Sequence, residues 1–89
     1  MTDPQQQLSA EALEACALAA HRKAAGDPDG QLALLDRLRT RCASLPSGPA
    51  LQRAILAFTR TEAICRMALG ELNRAFELLL EAELSLIHI

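Results

Sequence analysis

Residues 63–82 read AICRMALGELNRAFELLLEA, and the glycine near the middle of this stretch decides how the chain folds. Apolar residues recur at three- and four-residue spacing up to Leu69, then Gly70 interrupts them, and a second periodic run begins near Glu71. That second run places Leu72, Ala75, Phe76, Leu79 and Ala82 along one stripe, with Arg74, Glu77 and Glu81 on the opposite side, the pattern of an amphipathic helix. Glycine suits the break because helices commonly end in a left-handed residue, a conformation that costs a side chain with a Cβ about 1–2 kcal/mol. The stretch is therefore expected to form a helical hairpin.

Working outward, the same punctuation recurs. Asp3-Pro4, Asp27-Pro28 and Gly48-Pro49 each put proline where a first helical residue loses nothing by lacking an N–H, behind a residue suited to the N-cap. The first helix starts at Pro4 or at Ser9, turns Leu13, Cys16, Ala20 and Ala24 inward, and stops at Gly26. The second runs from about Pro28 to Ser44 with Leu34, Leu35, Leu38 and Cys42 apolar, and ends before LPSGP (45–49), which cannot continue a helix. The third runs from Pro49 to about Leu69, with Leu51, Ala54, Ile55, Phe58, Cys65 and Leu69 apolar and with Arg53 and Arg60 seven apart on another side. Four helices joined by short turns give an all-α fold of two antiparallel hairpins, at about 4–45 and 49–83.

Composition agrees. The 89 residues are 51% hydrophobic but 2% aromatic and contain no valine. A core of closely packed Leu and Ala follows, with Phe58 and Phe76 as its only large rings, and such a core favours helices over strands. One small domain of marginal stability is the most a chain of this length supports. The net charge of -2 and the absence of Trp and Tyr provide neither a field nor a stacking platform for nucleic acid. No segment reaches the roughly 20 apolar residues needed to span a bilayer, and the first residues, MTDPQQQLSA, do not read as a secretory signal. Cys16, Cys42 and Cys65 fit neither a disulfide framework nor a zinc site; buried thiols in the cytoplasm are expected.

Sliding the chain along itself by 44 residues aligns Ala19 with Ala63, Arg22 with Arg66, Ala24 with Ala68, Gly26 with Gly70, Leu34 with Leu78 and Leu35 with Leu79. The paired glycines, with Leu-Leu at equal distance after them, suggest an internal repeat. In residues 63–82, Ala63 precedes Gly70 by seven, Ala75 follows it by five and Ala82 lies seven further on. In that small-residue spacing the segment resembles the tetratricopeptide repeat family, where small side chains let neighbouring helices approach closely. The likeness is strong over the second hairpin and weak over the first, where Gln31 and Leu38 replace the expected alanines. Thr59 stands where the family often has Trp and Glu62 where it usually has Leu, and the 44-residue period exceeds the usual length of about 34.

The resemblance implies a tetratricopeptide-repeat-like array acting as a non-enzymatic protein-interaction or regulatory module, the N-terminal fragment of a larger bacterial signalling protein. It also implies that the first helix of each hairpin lines a concave surface. In that register Cys16, Ala20, Lys23, Arg60, Ile64 and Met67 face a protein or peptide partner. Lys23, Arg60, Ile64 and Met67 are the binding candidates, the two cations for carboxylates and Met67 for apolar groups. The alternatives are a self-contained four-helix bundle, perhaps dimeric, and the sensory part of a signalling enzyme whose catalytic domain is missing.

No catalytic, cofactor or metal residues are expected. GDPDG (26–30) opens like a calcium loop but lacks the further oxygen ligands and reads as a turn. Cys16 and His21, five apart on a helix, point away from one another, and no third group orients the ring. Arg37 and Arg41 share a helix face while Arg39 points elsewhere, so RLRTR (37–41) is a solvated surface. The final LSLIHI (84–89) breaks the charge pattern of the fourth helix. Written as CTG TCT CTT ATA CAC ATC, it resembles the end of a transposon adapter used in sequencing libraries, so a non-native tail is expected after Glu83. Its structural alternative is an apolar extension of the helix. On the adapter reading the natural gene is expected to continue past Glu83, and the apolar end of the fourth helix to lie exposed where a further repeat or capping helix would cover it.

Overall fold

The computed structural model describes residues 9–87. Four helices account for nearly all of them: α1 (Ala10–Lys23), α2 (Pro28–Cys42), α3 (Pro49–Ala68) and α4 (Leu72–Ile87). No strand occurs among the described residues, and none of the described helices is long and apolar enough to cross a membrane.

Local chemistry sets the boundaries. The Ser9 hydroxyl accepts from the Ala12 N–H at 3.1 Å and caps α1; a start at Asp3-Pro4 falls outside the described residues. Asp27 caps α2 through the Gly30 N–H at 3.2 Å, with Pro28 in the first turn. Pro49 likewise opens α3. At the end of α3, Gly70 takes a φ of 81°. The Glu71 N–H then donates to the Arg66 carbonyl at 2.8 Å, and the Gly70 N–H to the Met67 carbonyl at 3.0 Å. These are the two bonds of a Schellman motif. Its usual apolar contact is replaced by an ion pair between Arg66 and Glu71 at 3.2 Å. Gly26, its counterpart in the first hairpin, has no positive φ; that turn closes instead through Asp27 N–H to the Lys23 carbonyl at 2.9 Å.

The core lies where α1, α2 and α3 meet: Leu13, Ala17 and Ala20 face Leu35, Leu38 and Cys42, with Leu51, Ala54 and Phe58 closing the cluster. Phe58 is wholly buried. Ala17 takes the inward place expected of Cys16, which is half-buried. On another side of α3, Leu56, Thr59 and Ala63 are buried, and α4 contributes Ala75, Leu78 and Ala82. Since α4 touches α3 and neither α1 nor α2, the ring of a closed four-helix bundle is not formed among the described residues. The result is a slab 44 × 30 × 17 Å.

The fourth helix corrects one expectation. Phe76 is 63% exposed and Leu72 65%, so the core has one aromatic ring and not two. The apolar arc of α4 is wider than the strip that a single neighbour covers, and the small residues Ala75 and Ala82, with Leu78 between them, take the contact with α3. Ile55 and Leu69, read as apolar-face residues of α3, are likewise exposed, because they lie off the seams with α1, α2 and α4. Leu84 and the residues to Ile87 continue α4 without a break at Glu83; His88 and Ile89 lie outside the described residues.

Candidate functional site

Stacking of α3 on α1 leaves a groove between them. The two helices are tied at mid-length by the buried Thr61 hydroxyl, which lies 3.1 Å from the Ala17 carbonyl and 2.8 Å from the Ala57 carbonyl of its own helix. Residues 17 and 61 are 44 apart, the offset at which the sequence aligns with itself. Away from the core, α1 presents Glu14, Leu18 and His21 on one face, at spacings of four and three, and α3 presents Arg53, Ala57 and Arg60 at the same spacings. Together with Leu56 and Thr61 they line an open groove of about 440 Å³.

The groove has an apolar floor and a cationic side. At one position Arg53 Nε lies 3.8 Å from Glu14 Oε1, a long pair between an exposed arginine and a half-buried glutamate, of small energetic worth, that spans the two helices. Arg60 has no ion-pair partner among the described residues. His21 is exposed on the facing helix. A carboxylate entering here meets a guanidinium able to donate two parallel N–H bonds, next to leucine side chains that can hold an apolar group.

The structure divides the residues that the family register groups together. Arg60 lines the groove, and Ile64 and Met67 continue its face one and two turns on, Ile64 half-buried and Met67 exposed. Lys23 lies elsewhere: with Cys16 and Ala20 it borders a smaller depression between α1 and α2, beside Gln31 and Leu34. The reason is rotational. The face of α1 that meets α3 carries residues 14, 17, 18 and 21, whereas 16, 20 and 23 point toward α2. Glu14, Leu18 and Leu56 therefore line the groove although the register reading did not include them, while the seven-residue spacing of Arg53 and Arg60 already marked the face of α3 that borders it.

A second polar cluster joins α2 to α3. Glu62, nearly buried, pairs with Arg39 of α2, and its other carboxylate oxygen lies 3.6 Å from Arg66 Nε. Arg66 also reaches Glu71, and hydrogen bonding to Glu71 is the main cause that holds its guanidinium above the ordinary range. The unexpected acid in the place of an apolar residue is thus one member of a chain of alternating charges running from α2 to the start of α4.

Cys16 and His21 border different grooves, and no group of three His, Cys, Asp or Glu side chains among the described residues could hold a metal ion. Cys42 and Cys65 are buried. Burial pushes both thiols above their usual range, helped at Cys65 by the nearby Glu62 carboxylate and opposed at Cys42 by Arg39. No protein family, curated protein or solved structure matches this chain.

Proposed function

We propose that the chain is a tetratricopeptide-repeat-like protein-interaction module that binds an extended peptide segment in the groove between α1 and α3. The observation that carries this reading is Arg60: a guanidinium with no carboxylate partner among the described residues, lining the groove together with Leu18, Leu56 and Ala57. Such a site selects an acidic residue beside an apolar anchor. Ile64 and Met67 extend it along α3 for a segment running past Arg60. Lys23 lies outside the groove and adds nothing to it. The work of the module is positioning a partner, not transforming it, and its free thiols suit a reducing cytoplasm.

Selection of a displayed random-peptide library on the immobilised protein tests the reading. Peptides pairing Asp or Glu with a neighbouring Leu, Ile or Phe should be enriched, and their binding should fall about tenfold or more on Arg60→Glu. That substitution leaves the helical circular dichroism unchanged, because Arg60 is exposed. Enriched peptides that bind the variant equally well, or a selection that enriches no acidic sequence, would refute the groove as the binding site.

A further inference from the structure

The face of α4 turned away from α3 carries Leu72, Phe76 and Leu80, each about half exposed or more, in line with Leu84. A single exposed leucine needs no explanation, but large apolar side chains in one contiguous row mark an interaction surface. The chain contains its own template for what fits there. Pro28 and Leu72, 44 apart, each open the second helix of a hairpin. Gln31 and Ala75, and Leu38 and Ala82, 44 apart again, are buried in both. Moving from α2 to α4 by this offset turns Leu32, Asp36 and Arg39 into Phe76, Leu80 and Glu83. The first three line the depression where α2 meets α3, against Glu62 and Arg66. Their counterparts on α4 are exposed, and α4 touches no helix but α3 among the described residues.

We propose that this face of α4 docks an amphipathic helix of a partner protein, lying on α4 as α3 lies on α2 and carrying Lys or Arg where α3 carries Glu62. The charge follows from the register. Arg39 of α2 meets the Glu62 carboxylate of α3, but the position equivalent to Arg39 is Glu83, which is exposed and has no ion pair among the described residues. A helix seated on α4 therefore completes the arrangement by presenting a cation there. Glu77 and Glu81, at the other edge of the apolar row, share the one cation of the helix, Arg74, at 3.3 and 3.8 Å, so α4 as a whole carries a net negative charge. The two-fold pairing of α4 with the α4 of a second copy does not meet the requirement: it sets one acidic helix against another, and the one cation of each, Arg74, already serves Glu77 and Glu81.

Two labelled helical peptides of about 16 residues, the length of α4, test this by fluorescence anisotropy with the full chain. Both carry the same Leu/Ala face; one has Arg at the flanking position and the other Glu. The Arg peptide should bind, less tightly as salt is raised. Its affinity should drop about tenfold or more on Phe76→Ser and on Glu83→Lys, while the Glu peptide should gain affinity for Glu83→Lys. Both residues are exposed, so circular dichroism should show the variants folded. Equal binding of the two peptides, indifference to Phe76→Ser, or binding of neither would overturn the proposal. So would self-association in sedimentation equilibrium that Phe76→Ser abolishes, which assigns the face to a second copy. No residue is shared with the α1/α3 groove, so loss of peptide binding at Arg60 and loss of helix binding at Phe76 are separate failures.

Discussion

Gly26 and Gly70 occupy matching positions in the two hairpins, yet replacing each with alanine should change stability in opposite directions. At Gly70 the backbone sits at a φ of 81°, and a Cβ added there would find no atom within 4 Å. The cost of Gly70→Ala is therefore conformational and not steric, about 1–2 kcal/mol for placing an L-residue in the left-handed region. Against it stands the lower entropy of the unfolded chain, about 0.4–1 kcal/mol in favour of alanine, leaving a net loss near 0.5–1 kcal/mol. At Gly26 there is no positive φ, and the new Cβ would meet only the Lys23 carbonyl oxygen at 3.9 Å, an ordinary contact. Gly26→Ala thus keeps the entropic gain without the penalty and should stabilise. The unfolded-state contribution is common to both and cancels in the difference, which is then the left-handed penalty alone. For a domain of this size, about 1–2 kcal/mol separates the two melting temperatures by roughly 5–15 °C. Thermal and urea melts followed by far-UV circular dichroism measure it. If the two variants shift together, the turns share one backbone geometry and the reasoning is wrong.

Four further outcomes follow from packing and charge. Phe58→Ala should cost about 3–5 kcal/mol in urea unfolding, most of the stability of a small domain, whereas Phe76→Gln should stay within about 0.5 kcal/mol of the parent. Ala17→Leu, at the α1/α3 seam, and Ala63→Leu, on α3, fill positions with no exposed surface; each should destabilise by about 1–3 kcal/mol in the same measurement. A double-mutant cycle of Arg39→Ala and Glu62→Gln should give a coupling of about 0.5–1 kcal/mol, kept modest because the Arg39 side chain remains 40% exposed to water. Cys16 should react with a chromogenic disulfide before Cys42 or Cys65 in the native protein, and all three together once unfolded. Because burial raises the two buried thiols, their neutral form is favoured in the fold. Stability should hold below the unfolded thiol value of about 8.5 and decline as pH rises above it.

Much of this architecture was legible in the chain. Proline behind a capping residue at Pro28 and Pro49, and glycine at the end of α3, fixed the helix limits because these are local steric and hydrogen-bonding effects. Which side of each helix would be buried was less readable, because that depends on how many neighbours the helix has. Phe76 looked like a core ring since hydrophobicity measures what prefers burial, while the strip that α4 buries is set by a single helix, α3. The same holds for the groove. The cationic face of α3 was visible in Arg53 and Arg60, but the rotation of α1 that pairs them with Glu14 and His21, and turns Lys23 away, is fixed by the meeting of Ala17 with Thr61. The turn at Gly26 misled in another way: identity of residue at the matching position did not carry identity of backbone.

Among the described residues α4 is held only by its seam with α3, and that has a kinetic consequence. A segment held on one side only can detach while the three-helix core persists, pivoting about the turn at Gly70. Its amide protons should exchange through that partial opening, well ahead of those in the core helices. A ligand bound along α4 would slow exchange there first, so protection factors read helix by helix would report occupancy of that end of the molecule even where the overall melting temperature barely moves.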